Sequence, residues 1–141
     1  MADNTIFGTG ALGAVTTGDF NAAFGTQAGA AVSTGSRNSV FGYRAGDALA
    51  SGADNSAFGQ EALGILAAGQ GNVAIGSRSG IDLALGDGNV FVGLEAGGFT
   101  GQATTIYNSV AIGYRCVISK SFQVVLGNSR GARRCCAAGS C

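Results

Sequence analysis

The chain has 141 residues, one modest domain by length, with eight acidic and eight basic residues and a formal net charge of zero. That balance excludes a general nucleic-acid surface, which needs an excess of Lys and Arg to neutralise phosphates. Glycine stands out at 26 residues, histidine and proline are absent, and 46% of the residues are apolar, so frequent turns are combined with enough apolar mass for a core.

In chain order, the opening Met1-Ala2-Asp3-Asn4 carries no basic stretch followed by an apolar one, so no secretory signal is read. No later run approaches the ~18 apolar residues of a membrane-spanning helix, and no membrane span is expected. A repeating unit begins at Asn4 and recurs at the same interval, without insertion, at Asn21, Asn38, Asn55, Asn72 and Asn89. Glycine follows four positions later each time, from Gly8 through Gly93, and a second glycine column runs from Gly18 to Gly86. The residue before the first glycine is always large and apolar: Phe7, Phe24, Phe41, Phe58, Ile75, Val92. Small residues fill Ala11, Ala28, Ala45, Ala62, Ser79 and Ala96, and a further apolar column reads Val15, Val32, Leu49, Leu66, Leu83.

The period then changes. The unit after Asn89 is longer, anchored at Gly113 with an insertion around 101–107, and the next is shorter, ending at Gly127. Both keep the apolar run, as Val110-Ala111-Ile112 and Val124-Val125-Leu126. Residues 1–128 are therefore read as one repeat domain, and residues 129–141 as a separate tail containing Arg and Cys.

The interval from Asn4 to Asn21 is too short for a helix pair, and brief apolar runs bounded by Gly, Asn, Asp and Ser read as strand and turn. The expected fold is all-β, a parallel β-solenoid with one coil per unit, stacked about 4.8 Å apart. The Phe/Ile/Val column is expected to point into the coil, with glycine and left-handed asparagine at the corners. Beside it, Ile6, Ala23, Val40, Ala57, Ala74, Phe91, Ala111 and Val125 are apolar as well. Neighbouring strand residues face opposite ways, so this strand is apolar on both faces and needs cover on both. Ile6, Val40, Ala74 and Phe91 are accordingly expected on the outside, meeting identical copies in a homotrimer around a shared axis.

At Asn108-Ser109-Val110-Ala111-Ile112-Gly113 the chain resembles the head repeats of trimeric autotransporter adhesins, whose units read N-S-V-A-I-G. The unit N-x-x-F-G-x-x-A is also similar to repeats of phage tail-fibre and virion-associated proteins. The resemblance spans roughly residues 4–128 and implies a left-handed β-roll, three chains per rod and a role in attachment or fibre structure. It implies other virion or fibre proteins and a host-surface receptor as partners. The expected location is a virion, made in the host cytoplasm, with the bacterial cell surface as the alternative.

Individual residues narrow this further. Without histidine the commonest general base is missing, and Glu61 and Glu95 sit in a repeat column. No catalytic site, cofactor or metal is expected, and the chain is not read as an enzyme. Asp82 and Asp87 read as turn residues, since Ca²⁺ needs six to eight oxygens. Cys116 falls in the small column and is expected to be buried. Cys135, Cys136 and Cys141 are candidates for inter-chain disulfides. A regular threonine face for ice or surface binding decays along Thr17, Thr34, Ser51, Ala68, Leu85. Two positions after the first glycine, Arg44, Glu61, Arg78, Glu95 and Arg115 alternate in sign, which stacked coils would turn into a charge ladder.

Overall fold

The computed structural model describes residues 3–98 and 104–127, and the backbone of residues 133–136. It is a parallel β-solenoid of about seven coils, with no helix among the described residues. Each coil opens with one short strand, and an eighth closes the last coil: β1 (Thr5–Phe7), β2 (Ala22–Phe24), β3 (Ser39–Phe41), β4 (Ser56–Phe58), β5 (Val73–Ile75), β6 (Val90–Val92), β7 (Val110–Ile112) and β8 (Gln123–Leu126). These pair in sequence order and in parallel, with Phe7 on Phe24, Phe24 on Phe41 and Phe41 on Phe58. The repeat columns of the sequence are thus physical columns. The longer unit is absorbed without loss of register, since Phe91 pairs with Ala111 and Val92 with Ile112. Within the tail, β9 (Arg133–Cys136) runs antiparallel to β8 and ends the sheet.

The two faces of the strand are the reverse of the sequence expectation. Val40, Ala57, Ala74, Phe91 and Ala111 are fully buried, whereas Phe58, Ile75, Ile112 and Leu126 are about 40% exposed or more. Of the candidates for an external face, Val40, Ala74 and Phe91 therefore line the core, and Ile6, in the first described coil, is half exposed. The cause is width. So short a coil encloses a narrow interior, and the neighbouring columns already fill it with Leu49, Leu66 and Leu83, each fully buried. Burying each such side chain contributes about 1.5–3 kcal/mol. Alanine suits the remaining space, and a stack of phenylalanine rings does not.

Among the described residues, Phe91 is the one aromatic ring placed inside, and glycine makes its room. A Cβ on Gly80, in the coil before, would lie 3.0 Å from Phe91 Cδ2, and Gly97 packs against the same ring from within its own coil.

Asparagine also differs from expectation. Asn38, Asn55, Asn72 and Asn89 are fully buried and do not adopt the left-handed conformation. Sharing the parity of the core column, they point inward, where the amide must find partners. Each does so along the axis. Asn55 Oδ1 accepts from the backbone N–H and from Nδ2 of Asn72, both at 3.0 Å, while Asn55 Nδ2 donates to Asn38 Oδ1 at 3.1 Å and to Gly69 O at 2.9 Å. The left-handed corners belong to other columns: Gln27, Arg44, Glu61, Arg78, Glu95 and Arg115 in one, with φ between 53° and 57°, and Phe20, Arg37, Asp54, Asn108 and Phe122 in another.

Candidate functional site

Two surface columns distinguish this rod. The first is the outer face of the strands. Phe24, Phe41 and Phe58 stack with ring centroids 4.7 and 4.8 Å apart and planes within 9° of parallel. Ile75, Val92, Ile112 and Leu126 continue the line through β5, β6, β7 and β8. Two positions earlier on the same face stand Ala22, Ser39, Ser56, Val73, Val90, Val110 and Val124, all half-buried. The result is a flat apolar strip along the axis, of a size and continuity that marks interaction surfaces.

The second column is the charge ladder. Arg78 lies 3.8 Å from Glu61 in the coil before and 3.3 Å from Glu95 in the coil after, and Arg115 Nε donates to Glu95 Oε2 at 2.5 Å. The structure brings Glu61, Arg78, Glu95 and Arg115 together as one chain of charges. Arg44 is bound within its own coil instead, its Nε donating to Asp47 Oδ2 at 2.7 Å. That hydrogen bond, and then the charge of Asp47, raise the Arg44 guanidinium further above its usual range. Nothing in the repeat marked Asp47, because no other unit places an acidic residue there except Asp82 one column on. A second inter-coil pair escaped the sequence reading too. Arg37 binds Asp54 through two hydrogen bonds of 2.6 and 2.8 Å, which hold the Asp54 carboxyl below the usual carboxylate range.

The ladder predicts a measurable asymmetry. Glu95→Arg would place three cations in successive coils, whereas Glu95→Gln only removes the attraction. The arginine variant should melt below the glutamine variant at low salt, and the gap should close between about 10 mM and about 1 M salt, as screening shortens the reach of the charges. Equal melting temperatures at low salt would show that the contact does not operate in solution.

The remaining candidates sit as follows. Cys116 is buried, its Sγ 3.0 Å from the Ile112 carbonyl and within hydrogen-bonding reach of Gly127 O, and burial pushes the thiol up. Asp87 acts as a turn residue, its Oδ1 accepting from the Gln70 N–H at 2.7 Å. Cys135 and Cys136 lie on β9, opposite Val124 and Gln123, and Cys141 lies outside the described residues. Asn108, first in the run that carries the adhesin resemblance, does not join the asparagine column. Ser109 takes that place, its N–H donating to Asn89 Oδ1 at 3.0 Å, and Asn108 adopts a left-handed turn with φ 48°. Among the described residues no helix is long and apolar enough to cross a membrane. No family model, curated protein or solved structure matches the chain.

Proposed function

We propose that the chain is a rigid structural or receptor-binding component of a fibre or appendage, in the first place of a phage virion, assembled as a homotrimer along its outer strand face. The observation that carries this reading is the outward apolar ladder of Phe24, Phe41, Phe58, Ile75, Val92, Ile112 and Leu126, each half-buried or exposed. On a rod of about 40 Å, with coils at about 4.8 Å, a strip of that length presents identical apolar columns to any copy that lies alongside. Closed rotation of identical strips about one axis covers them all. The number three and the preference for a virion over a bacterial surface rest on the resemblance of the unit N-x-x-F-G-x-x-A to tail-fibre repeats. In that role the rod meets other virion proteins at its ends and a host-surface receptor along its flanks.

Light scattering tests the assembly: the particle should have three times the 13.8 kDa chain mass. The double variant Phe41→Asp, Phe58→Asp should give a folded monomer, because both rings are outside the core, whereas Val40→Asp should leave no folded chain, because it buries an unpaired charge. A wild-type chain that is a stable monomer at micromolar concentration rejects the assembly. A density map of the native particle lacking any triple rod of this length rejects the virion.

A further inference from the structure

A groove runs along the rod over the second glycine column. Its floor is backbone: Gly35, Gly52 and Gly86 are buried, and a Cβ at Gly52 would lie 2.9 Å from Gly69 O, so stacking itself keeps side chains off the floor. The walls are the columns on either side, pinned from coil to coil by bridges between Ala68 and Leu85 and between Ala53 and Gln70. In the first coils both walls are short, with Thr17, Thr34 and Ser51 on one side and Asp19, Ser36 and Ala53 on the other. Both then change over the same coils. Ala68 and Leu85 make the first wall apolar, while Gln70, Asp87 and Tyr107 make the second tall and polar. With Ser51 they enclose a space of about 310 Å³, the lower end of the range for small-ligand sites.

The polar groups around this space are positioned but not satisfied. Asp87 Oδ1 accepts from the Gln70 N–H at 2.7 Å, which fixes the carboxylate. Among the described residues, Asp87 Oδ2, the Gln70 side-chain amide and the hydroxyls of Ser51 and Tyr107 have no protein partner. Beside them stand two large apolar surfaces, Leu85 at 47% and Tyr107 at 41% exposure. Stacking does not call for any of these side chains, because other coils fill the same columns with Thr, Ser or Ala.

We infer that this groove is a subsite for one neutral pyranose ring of a glycan. The inference rests on the receptor-binding reading above and gives that receptor a chemistry. A pyranose has a C–H face to lie against Leu85 and the ring of Tyr107. It also has a rim of hydroxyls, each donor and acceptor, to meet Asp87 Oδ2, Gln70 and Ser51. A phosphate or sulfate would face the Asp87 carboxylate with no Lys or Arg among the lining residues to balance it. A Ca²⁺ ion needs six to eight oxygens, and the lining holds a single carboxylate. With so few contacts one ring binds weakly, at about the millimolar level, and side-by-side copies of the rod would add avidity.

An NMR titration of the isotope-labelled full chain tests this, with the methyl glycosides of glucose, galactose and mannose as probes. At least one should shift the amides of Gly69, Gln70, Gly86, Asp87 and Tyr107 and saturate below about 100 mM. Tyr107→Ala should weaken that binding about 10-fold, the scale of one lost aromatic contact, without lowering the melting temperature. Tyr107→Phe, which keeps the ring, should retain most of the affinity. The uronic acid of the same sugar should bind more weakly than the neutral glycoside. Asp87→Asn, which keeps an oxygen for the Gln70 N–H, should narrow that difference. The absence of amide shifts with all three glycosides would overturn the subsite, as would unchanged affinity in Tyr107→Ala. A uronic acid that binds as tightly as its neutral parent would overturn the choice of a neutral ring. Light scattering on the same samples reads the assembly separately. A monomer that binds sugar rejects the trimer and upholds the groove, and a trimer that binds none rejects the groove alone.

Discussion

Gly42→Ala is expected to prevent its coil from stacking on the next. Gly42 has φ +137°, a conformation that L side chains rarely adopt, and a Cβ there would lie 2.5 Å from the carbonyl oxygen of Gly59 and 2.7 Å from its carbon. Those are backbone atoms, so no rotamer change relieves the clash. Opening the gap breaks the ladder bonds on both sides, from Gly42 N–H to Phe24 O and from Gly59 N–H to Phe41 O, each 2.8 Å. A loss above about 4 kcal/mol follows, in the range reserved for backbone strain combined with broken networks. Gly71 is the control. Its φ is +65°, and an added Cβ would meet nothing within 4 Å, so Gly71→Ala should cost only the left-handed conformation, about 1–2 kcal/mol. Urea unfolding followed by circular dichroism measures both, and similar midpoints for the two variants would show that coil spacing is not the constraint.

Asn55→Leu ranks second. The side chain is similar in size, but four hydrogen bonds disappear from a fully buried site. The Asn72 N–H loses its acceptor, the Asn72 side chain keeps only Gly86 O, Gly69 O keeps only the Ala53 N–H, and Asn38 Oδ1 keeps only the Asn55 backbone N–H. An orphaned buried group costs about 1–3 kcal/mol, so the variant should lose roughly 3–6 kcal/mol. Asn55→Asp separates donor from acceptor: it keeps the oxygen for Asn72 but removes the N–H groups given to Asn38 Oδ1 and Gly69 O, and it buries a charge. Its carboxyl should be held above the usual range by that burial, so stability should recover as pH falls and the group becomes neutral. A cost below about 1 kcal/mol for Asn55→Leu would mean that water replaces the amide and that the ladder is not buried.

The period, the strands and their parallel register were legible because columns of one residue type recur at a fixed interval, and stacking coils preserve that interval. Which face of the strand looks inward was not. A strand as short as Ser39–Phe41 has the same alternation either way, and side-chain size pointed wrongly, since the larger residues stand outside. The informative cue was the pairing of Asn38 with Val40, two positions apart and therefore on one face. A buried asparagine column fixes the core face as surely as a buried leucine column, once its amides are seen to satisfy one another along the axis. The charge ladder was legible from Glu61 to Arg115 because every member keeps its column. Its start was not, because Asp47 competes for Arg44 within a single coil, and a repeat pattern carries no signal for a residue that does not repeat.

The charge ladder also bears on how such a gene can change length. Loss or duplication of the codons for one whole unit keeps every column in place, so a rod can be shortened or lengthened by complete coils without renegotiating its core. The ladder adds a parity rule. Deleting residues 72–88 removes Arg78 and sets Glu61 beside Glu95, like charge on like. Deleting residues 72–108 removes Arg78 and Glu95 together and sets Glu61 beside Arg115, opposite on opposite. Along the charged part of the rod, tolerated changes of length should therefore come in pairs of coils, and the natural step of such a gene is a double unit rather than a single one.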